Sequence, residues 1–125
     1  MRSMLSEIDR EALDDIRDNI ARAVRFVDGL DLDVDGLDLD AFRADDKTFY
    51  AATRCLEIIS EASRRLSRAF KERFPEIPWK RIAGSGSIYR HAYENVQELR
   101  VWATIHEALP ALRAVADAEL RAGST

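Results

Sequence analysis

The residues best suited to chemistry lie in the stretch Tyr89-Arg90-His91-Ala92-Tyr93. An imidazole titrates near neutral pH and can take or give a proton, and a guanidinium beside it can neutralise a phosphate. Those are the parts required to cleave RNA without a metal. A base removes the proton of the 2′-hydroxyl, the freed oxygen attacks the adjacent phosphorus, and cations stabilise the crowded oxyanion. A lone His-x-Tyr is a short pattern, and on spacing alone a structural histidine is the simpler reading. The other histidine, His106, adjoins the inward-facing Ile105 and reads as structural. Cys55, the single cysteine, falls in an apolar helical stretch and reads as a small buried hydrophobe.

The charge distribution supports a local affinity for phosphate. Net charge is −4, yet Arg64–Arg90 holds eight basic residues against only Glu72 and Glu76, an excess of six. A positive field confined to one segment of an acidic protein can attract phosphates, Lys80 being the candidate contact; the plainer alternative is a solvated helix face balanced by acids elsewhere in the fold. Two other signatures carry less. Asp31, Asp33, Asp35 and Gly36 open like a calcium loop, but its twelfth position, which should hold a bidentate glutamate, is Phe42, and its ninth is Leu39. Residues 31–44 therefore read as a solvated acidic connection whose leucines and Val34 tuck onto the bundle. Phosphate loops, Cys-x-x-Cys pairs and His-Glu-x-x-His helices are absent from the sequence, so no metal and no cofactor are expected.

The elements that must position these residues are helical. Ser6 is an N-cap, and Ile8, Ala12, Ile16, Ile20, Val24 and Val27 follow as one apolar stripe, with Gly29 as the stop. A second long helix starts near Asp45–Thr48 and carries Phe49, Ala52, Leu56, Ile59, Ala62, Leu66, Phe70 and Phe74 on one face, ending at Pro75 and Pro78. A short helix through Trp79 and Ile82 precedes the loosened turn Gly84-Ser85-Gly86-Ser87. Asn95 and Glu98 form a capping-box pattern opening a helix with Leu99, Trp102, Ile105 and Leu109 inward, and Pro110 kinks or restarts it before Leu112, Val115 and Leu120. Trp79 and Trp102 read as packing aromatics at the core or a dimer interface. The fold class is all-α: an up-and-down bundle of three long helices plus shorter ones, one domain over 1–125 with a frayed tail at 122–125. Hydrophobic residues at 46% and charged residues at 34% suit a soluble globular protein. With no apolar run near the ~20 residues that cross a bilayer, no signal-peptide core and one cysteine, the expected location is the cytoplasm, away from membranes.

An ordered set of motifs then resembles a known family. Phe42-x-x-Asp45-x-Lys47-Thr48-x-x-Ala51-x-x-Arg54-x-Leu56-Glu57-Ile58-Ile59-x-Glu61-Ala62 is similar to the HepT-like proteins of the HEPN superfamily. So are Pro75-Glu76-Ile77-Pro78-Trp79-x-x-Ile82-Ala83-Gly84, then His91-x-Tyr93, Trp102 and Leu109-Pro110-x-Leu112. The resemblance covers nearly the whole chain in order. It implies a HEPN-like bundle that forms a homodimer, with the His-containing motifs of both subunits meeting in one cleft. It also implies a metal-independent ribonuclease toxin acting on RNA, with no DNA expected, and a nucleotidyltransferase antitoxin that silences the toxin by attaching adenylate to the tyrosine matching Tyr93.

Under that resemblance His91 is the general acid/base, Arg90 the phosphate clamp, and Tyr93 the residue that orients phosphate and accepts adenylate. Arg54 and Glu61 match recurrent family positions, seven residues apart on one helix face; an ion pair, buried or interfacial, is the alternative role. Ser87 either donates to substrate or caps the helix through His91. One departure stands out. The family motif usually places an arginine five residues before the histidine and an asparagine next to it, and here those positions are Gly86 and Ser87. Arg90, immediately before His91, resembles a variant of the motif; in a helical turn positions 86 and 90 share a face. The other reading is a catalytically degenerate dimer that binds a nucleotidyltransferase partner.

Overall fold

A computed structural model describes residues 5–28, 38–86 and 94–122, with side chains in the last stretch from 98 onward. All the regular elements among these residues are helical. Helix α1 (Glu7–Val27) starts where Ser6 accepts the Asp9 N–H at 3.0 Å. The short α2 (Leu39–Ala44) is capped by Asp38, and α3 (Asp46–Arg65) by Asp45. Two short helices follow, α4 (Arg68–Glu72) and α5 (Trp79–Gly84). Helix α6 (Glu94–Ala103), a π-helical turn (Thr104–Ala108) and α7 (Leu109–Ala122) run on without a break. That continuous rod, α1 and α3 are the three long members expected from the sequence. No described helix is long and apolar enough to cross a membrane.

The core forms where α1 lies along α3 and α7. Ala12, Leu13, Ile16 and Ile20 of α1 join Ala52, Leu56, Ile59 and Ala62 of α3 and Leu109, Leu112 and Ala116 of α7 in one cluster. Alanine at four of these positions removes bulk between the helix axes and lets leucine and isoleucine interdigitate. Cys55 is buried there, and loss of water pushes its thiol pKa up, which keeps it protonated and inert.

Three expectations for the chain up to Phe74 are corrected. Ile8 is 64% exposed, and Asp9 is turned inward instead. The second long helix does not reach Phe74; it stops at Arg65, and α4 restarts after Ser67. Both facts have one cause. Ser67 donates its N–H and its hydroxyl to the two Asp9 carboxylate oxygens, each at 2.7 Å, so that N–H is unavailable for the helical bond to residue 63. Ser67 then caps α4 by accepting the Phe70 N–H at 3.1 Å. The break turns Phe70 and Phe74 toward each other at 5.2 Å and lets Trp79 donate to the Phe74 carbonyl at 3.0 Å.

The third correction is the 31–44 connection, whose end is the helix α2. Its Phe42 is fully buried, 6.1 Å from Phe49 and 5.3 Å from Trp102. Arg43 reaches Glu98 at 3.5 Å, tying α2 to α6. Residues 31–37, the Gly29 stop and the tail beyond Ala122 lie outside the described residues.

The rod containing α6 and α7 accommodates Pro110 without a break. Proline lacks an N–H, and its ring collides with the carbonyl four residues back in a regular helix. The wider π turn immediately before it absorbs the misfit, with the Leu109 N–H bonded to the Thr104 carbonyl. His106 stays exposed and structural: its Nδ1 is 2.8 Å from the Trp102 carbonyl and its ring packs on the Trp102 indole at 4.1 Å. At the other end, α6 begins at Glu94, so Asn95 lies inside the first turn and is not the cap.

Candidate functional site

The segment that carries His91 joins α5 to α6 in the sequence, and a set of contacts onto α3 fixes the end of α5. Ile82 is fully buried, and the Ser85 hydroxyl donates back to its carbonyl at 2.7 Å. The Ala83 carbonyl accepts two bonds from α3, from the Ser60 hydroxyl at 2.5 Å and from Arg64 Nη2 at 2.6 Å. Gly86 follows, pressed against the same helix. A Cβ there would stand 2.9 Å from the Ser60 Cβ and 3.3 Å from the Glu57 Cα, closer than the Ser60 side chain can relieve. Gly86 is thus required by close approach, and the arginine common at this point of the family motif has no room on this backbone.

Ser87, Arg90, His91 and Tyr93 lie outside the described residues. The elements on either side of them enclose a cleft of about 540 Å³. Lys80, Arg81, Gly84 and Ser85 form the α5 wall; Leu99, Arg100, Ala103 and Thr104 form the wall opposite. Arg81 spans it, reaching Glu107 at 3.2 Å. Lys80 and Arg100 have no acid partner among the described residues. Arg100 went unread in the sequence. Leu99 was expected inward but is 43% exposed, because the extra residue in the π turn shifts the helical phase and takes it out of line with Leu109.

Arg54 and Glu61 are both exposed on α3 and do not line the cleft. Arg54 pairs with Glu57 at 3.7 Å with 70% of its side chain exposed, so a buried ion pair with Glu61 is not what holds it. The Glu57 backbone is the one Gly86 abuts, which sets this pair beside the exit of the His91 segment.

The basic run seen in the sequence is largely dispersed by folding. Arg65 meets Asp15 at 2.6 Å, Arg73 meets Glu119 at 2.8 Å, and Arg68 meets Glu72 at 3.8 Å. Part of that excess charge is therefore answered by Asp15 of α1 and Glu119 of α7, as the plainer reading anticipated, while Arg68 meets an acid of the run itself. Lys80 and Arg81 are the members that reach the cleft, joined there by Arg100 from outside the run.

Residues 10–119 match the family described as Ribonuclease HepT-like. Among curated proteins, the chain is 35% identical over 99 residues to a protein of Thermococcus cleftensis described as "Probable ribonuclease HepT", covering 79% of this chain and 87% of that one. It is 39% identical over 64 residues to a candidate RNase of Methanocaldococcus jannaschii, covering 51% of this chain and 59% of that one. A further candidate RNase of that organism is 29% identical over 101 residues, covering 81% of this chain and 78% of that one. No solved structure matches.

Proposed function

The chain belongs to the HepT-like ribonuclease family, and from that premise we propose that it is an endoribonuclease that cuts RNA by 2′-hydroxyl attack without a metal. The observation that carries the reading is the family match over residues 10–119, which runs through His91 and Tyr93. His91 removes the 2′-hydroxyl proton as the new bond to phosphorus forms. The 5′-oxygen departs with a proton, and a 2′,3′-cyclic phosphate remains. Arg90 holds the charge that builds on the phosphoryl oxygens, Tyr93 orients that phosphate, and Ser87 donates to substrate. The working unit is a homodimer, its partner a nucleotidyltransferase antitoxin, and adenylation of Tyr93 the off switch.

The test is incubation of the unmodified protein and a His91→Ala variant with total RNA and transfer RNA in excess chelator, followed by mapping of the ends. Cleavage by the wild type alone, with cyclic phosphate ends, is the expected result. Absence of cleavage by either, with Tyr93 unmodified by mass, rejects the enzyme. Gly86 favours the second reading in that case, a degenerate dimer that binds the nucleotidyltransferase, because its packing leaves no space for the usual motif arginine.

A further inference from the structure

Two features of the α5–α6 cleft point to what occupies it. The first is charge. Lys80 and Arg100 face the same concavity from opposite walls, both exposed; no carboxylate is among the lining residues, and Glu107, which Arg81 reaches, is engaged by it. Elsewhere Arg43, Arg54, Arg65 and Arg73 each have a carboxylate within 4 Å. Cations gathered in a partly enclosed site repel one another and raise the local concentration of anions.

The second feature is the apolar surface between those cations. Leu99 is one of three large apolar side chains left exposed among the described residues, and Ala103 adjoins it one turn on. Ser85 is buried with its hydroxyl committed to the Ile82 carbonyl, and Thr104 is buried. A site with cations on two walls, an apolar patch and no free acid suits a ligand with an anionic end and a flat apolar body. At about 540 Å³ it falls in the range of small-ligand sites and is far too small for a duplex.

We propose that this cleft holds one nucleotide unit of a single RNA strand, its phosphate between Lys80 and Arg100 and its base against Leu99 and Ala103. The assignment to an RNA strand rests on the ribonuclease reading; α5 and α6, which carry the walls of the cleft, are the helices on either side of residues 87–93 in the sequence, so a unit bound there sets the register of the strand on the cutting residues.

The experiment uses a short 2′-O-methyl oligoribonucleotide, which lacks the attacking hydroxyl and separates binding from cleavage. Its affinity for the full unmodified chain is followed by fluorescence anisotropy across a salt series, with adenosine monophosphate as a second probe. Lys80→Ala and Arg100→Ala each weaken oligonucleotide binding about tenfold and each lower the salt slope by about one. Leu99→Ser weakens binding with the slope unchanged, and Arg68→Ala, which removes an exposed charge from α4, does nothing. Wild-type affinity in both Lys80→Ala and Arg100→Ala overturns the proposal, as does monophosphate binding as tight as the oligonucleotide, which would assign the cleft to a free nucleotide. A wild type that cuts RNA but shows no dependence on the two cations loses the cleft and keeps the enzyme. One that binds through them but never cuts keeps the cleft and loses the enzyme.

Discussion

The seam between α1 and α3 and the edge between α5 and α6 treat polar groups in opposite ways. At the seam, the carboxylate of Asp9 is drawn inside only because both of its oxygens receive hydrogen bonds from Ser67, and Asp15 meets Arg65 at the margin. At the edge, Lys80 and Arg100 stand without an acid among the described residues, and Leu99 is left in the open. An unanswered polar group in an interior costs stability, whereas at a concave edge it costs little and remains available to a ligand. Stability and recognition are thereby separated within one small bundle.

The strongest way to break that comparison is to measure the stability of both regions. Leu56 is fully buried in the seam, and Leu56→Ala should lower unfolding free energy by about 2–5 kcal/mol through lost burial and a residual cavity. Lys80→Ala and Arg100→Ala should stay within about 0.5 kcal/mol of wild type. Urea melts of the three variants decide it. Losses of similar size at the edge would show that its cations hold the fold together, and the distinction would fall.

Gly86 lies where the two regions meet, and its substitution sharpens the boundary. A methyl group there collides with the Ser60 Cβ, so Gly86→Ala should cost about 1–3 kcal/mol, the range of an overpacked core. Adding Ser60→Gly should return part of that loss, giving a coupling that independent sites would not show. Gly86→Arg, which restores the arginine usual in the family motif, should lower RNA cleavage instead of raising it. A gain in activity from that variant would mean that the Gly86 backbone moves away from α3 in the working state.

How far the sequence reveals this arrangement varies along the chain. The three long helices, the Ser6 cap, the start of α3 near Asp45 and the buried Cys55 follow from periodicity and local hydrogen-bond chemistry, both of which act within a turn or two. The break at Leu66 does not, because its cause is Asp9, 58 residues before the Ser67 it binds. The exposure of Leu99 is hidden for a different reason: the π turn adds a residue to the repeat, and the stripe that reads straight through Leu99 and Leu109 is out of phase in space. Of the cleft, Lys80 was legible as part of a basic run. Arg100 was not, since nothing in its neighbourhood marks it until α5 is folded against the same wall. The run itself overstated the field, because Asp15 and Glu119, distant in sequence, neutralise Arg65 and Arg73.

The smallest effect concerns the cap that starts α3, between α2 and the core. Asp45 accepts the Thr48 hydroxyl at 2.8 Å and the Thr48 N–H at 3.2 Å, and those two bonds, the hydroxyl first, hold its carboxyl below the usual carboxylate range. A group whose folded pKa is depressed stabilises the fold above its unfolded pKa, about 3.9 for aspartate, and loses that contribution as pH falls through the folded value. Near neutral pH, Asp45→Ala should therefore cost about 1 kcal/mol, the ordinary worth of an N-cap. The gap between variant and wild type should close as pH drops below about 4. Asp45→Asn keeps an acceptor but has no proton to take up, so its stability should lack this part of the acid dependence. If the Asp45→Ala gap stays constant down to a pH where both proteins still melt cooperatively, the stabilising species is not the carboxylate. Asp45 would then act at this junction by shape alone.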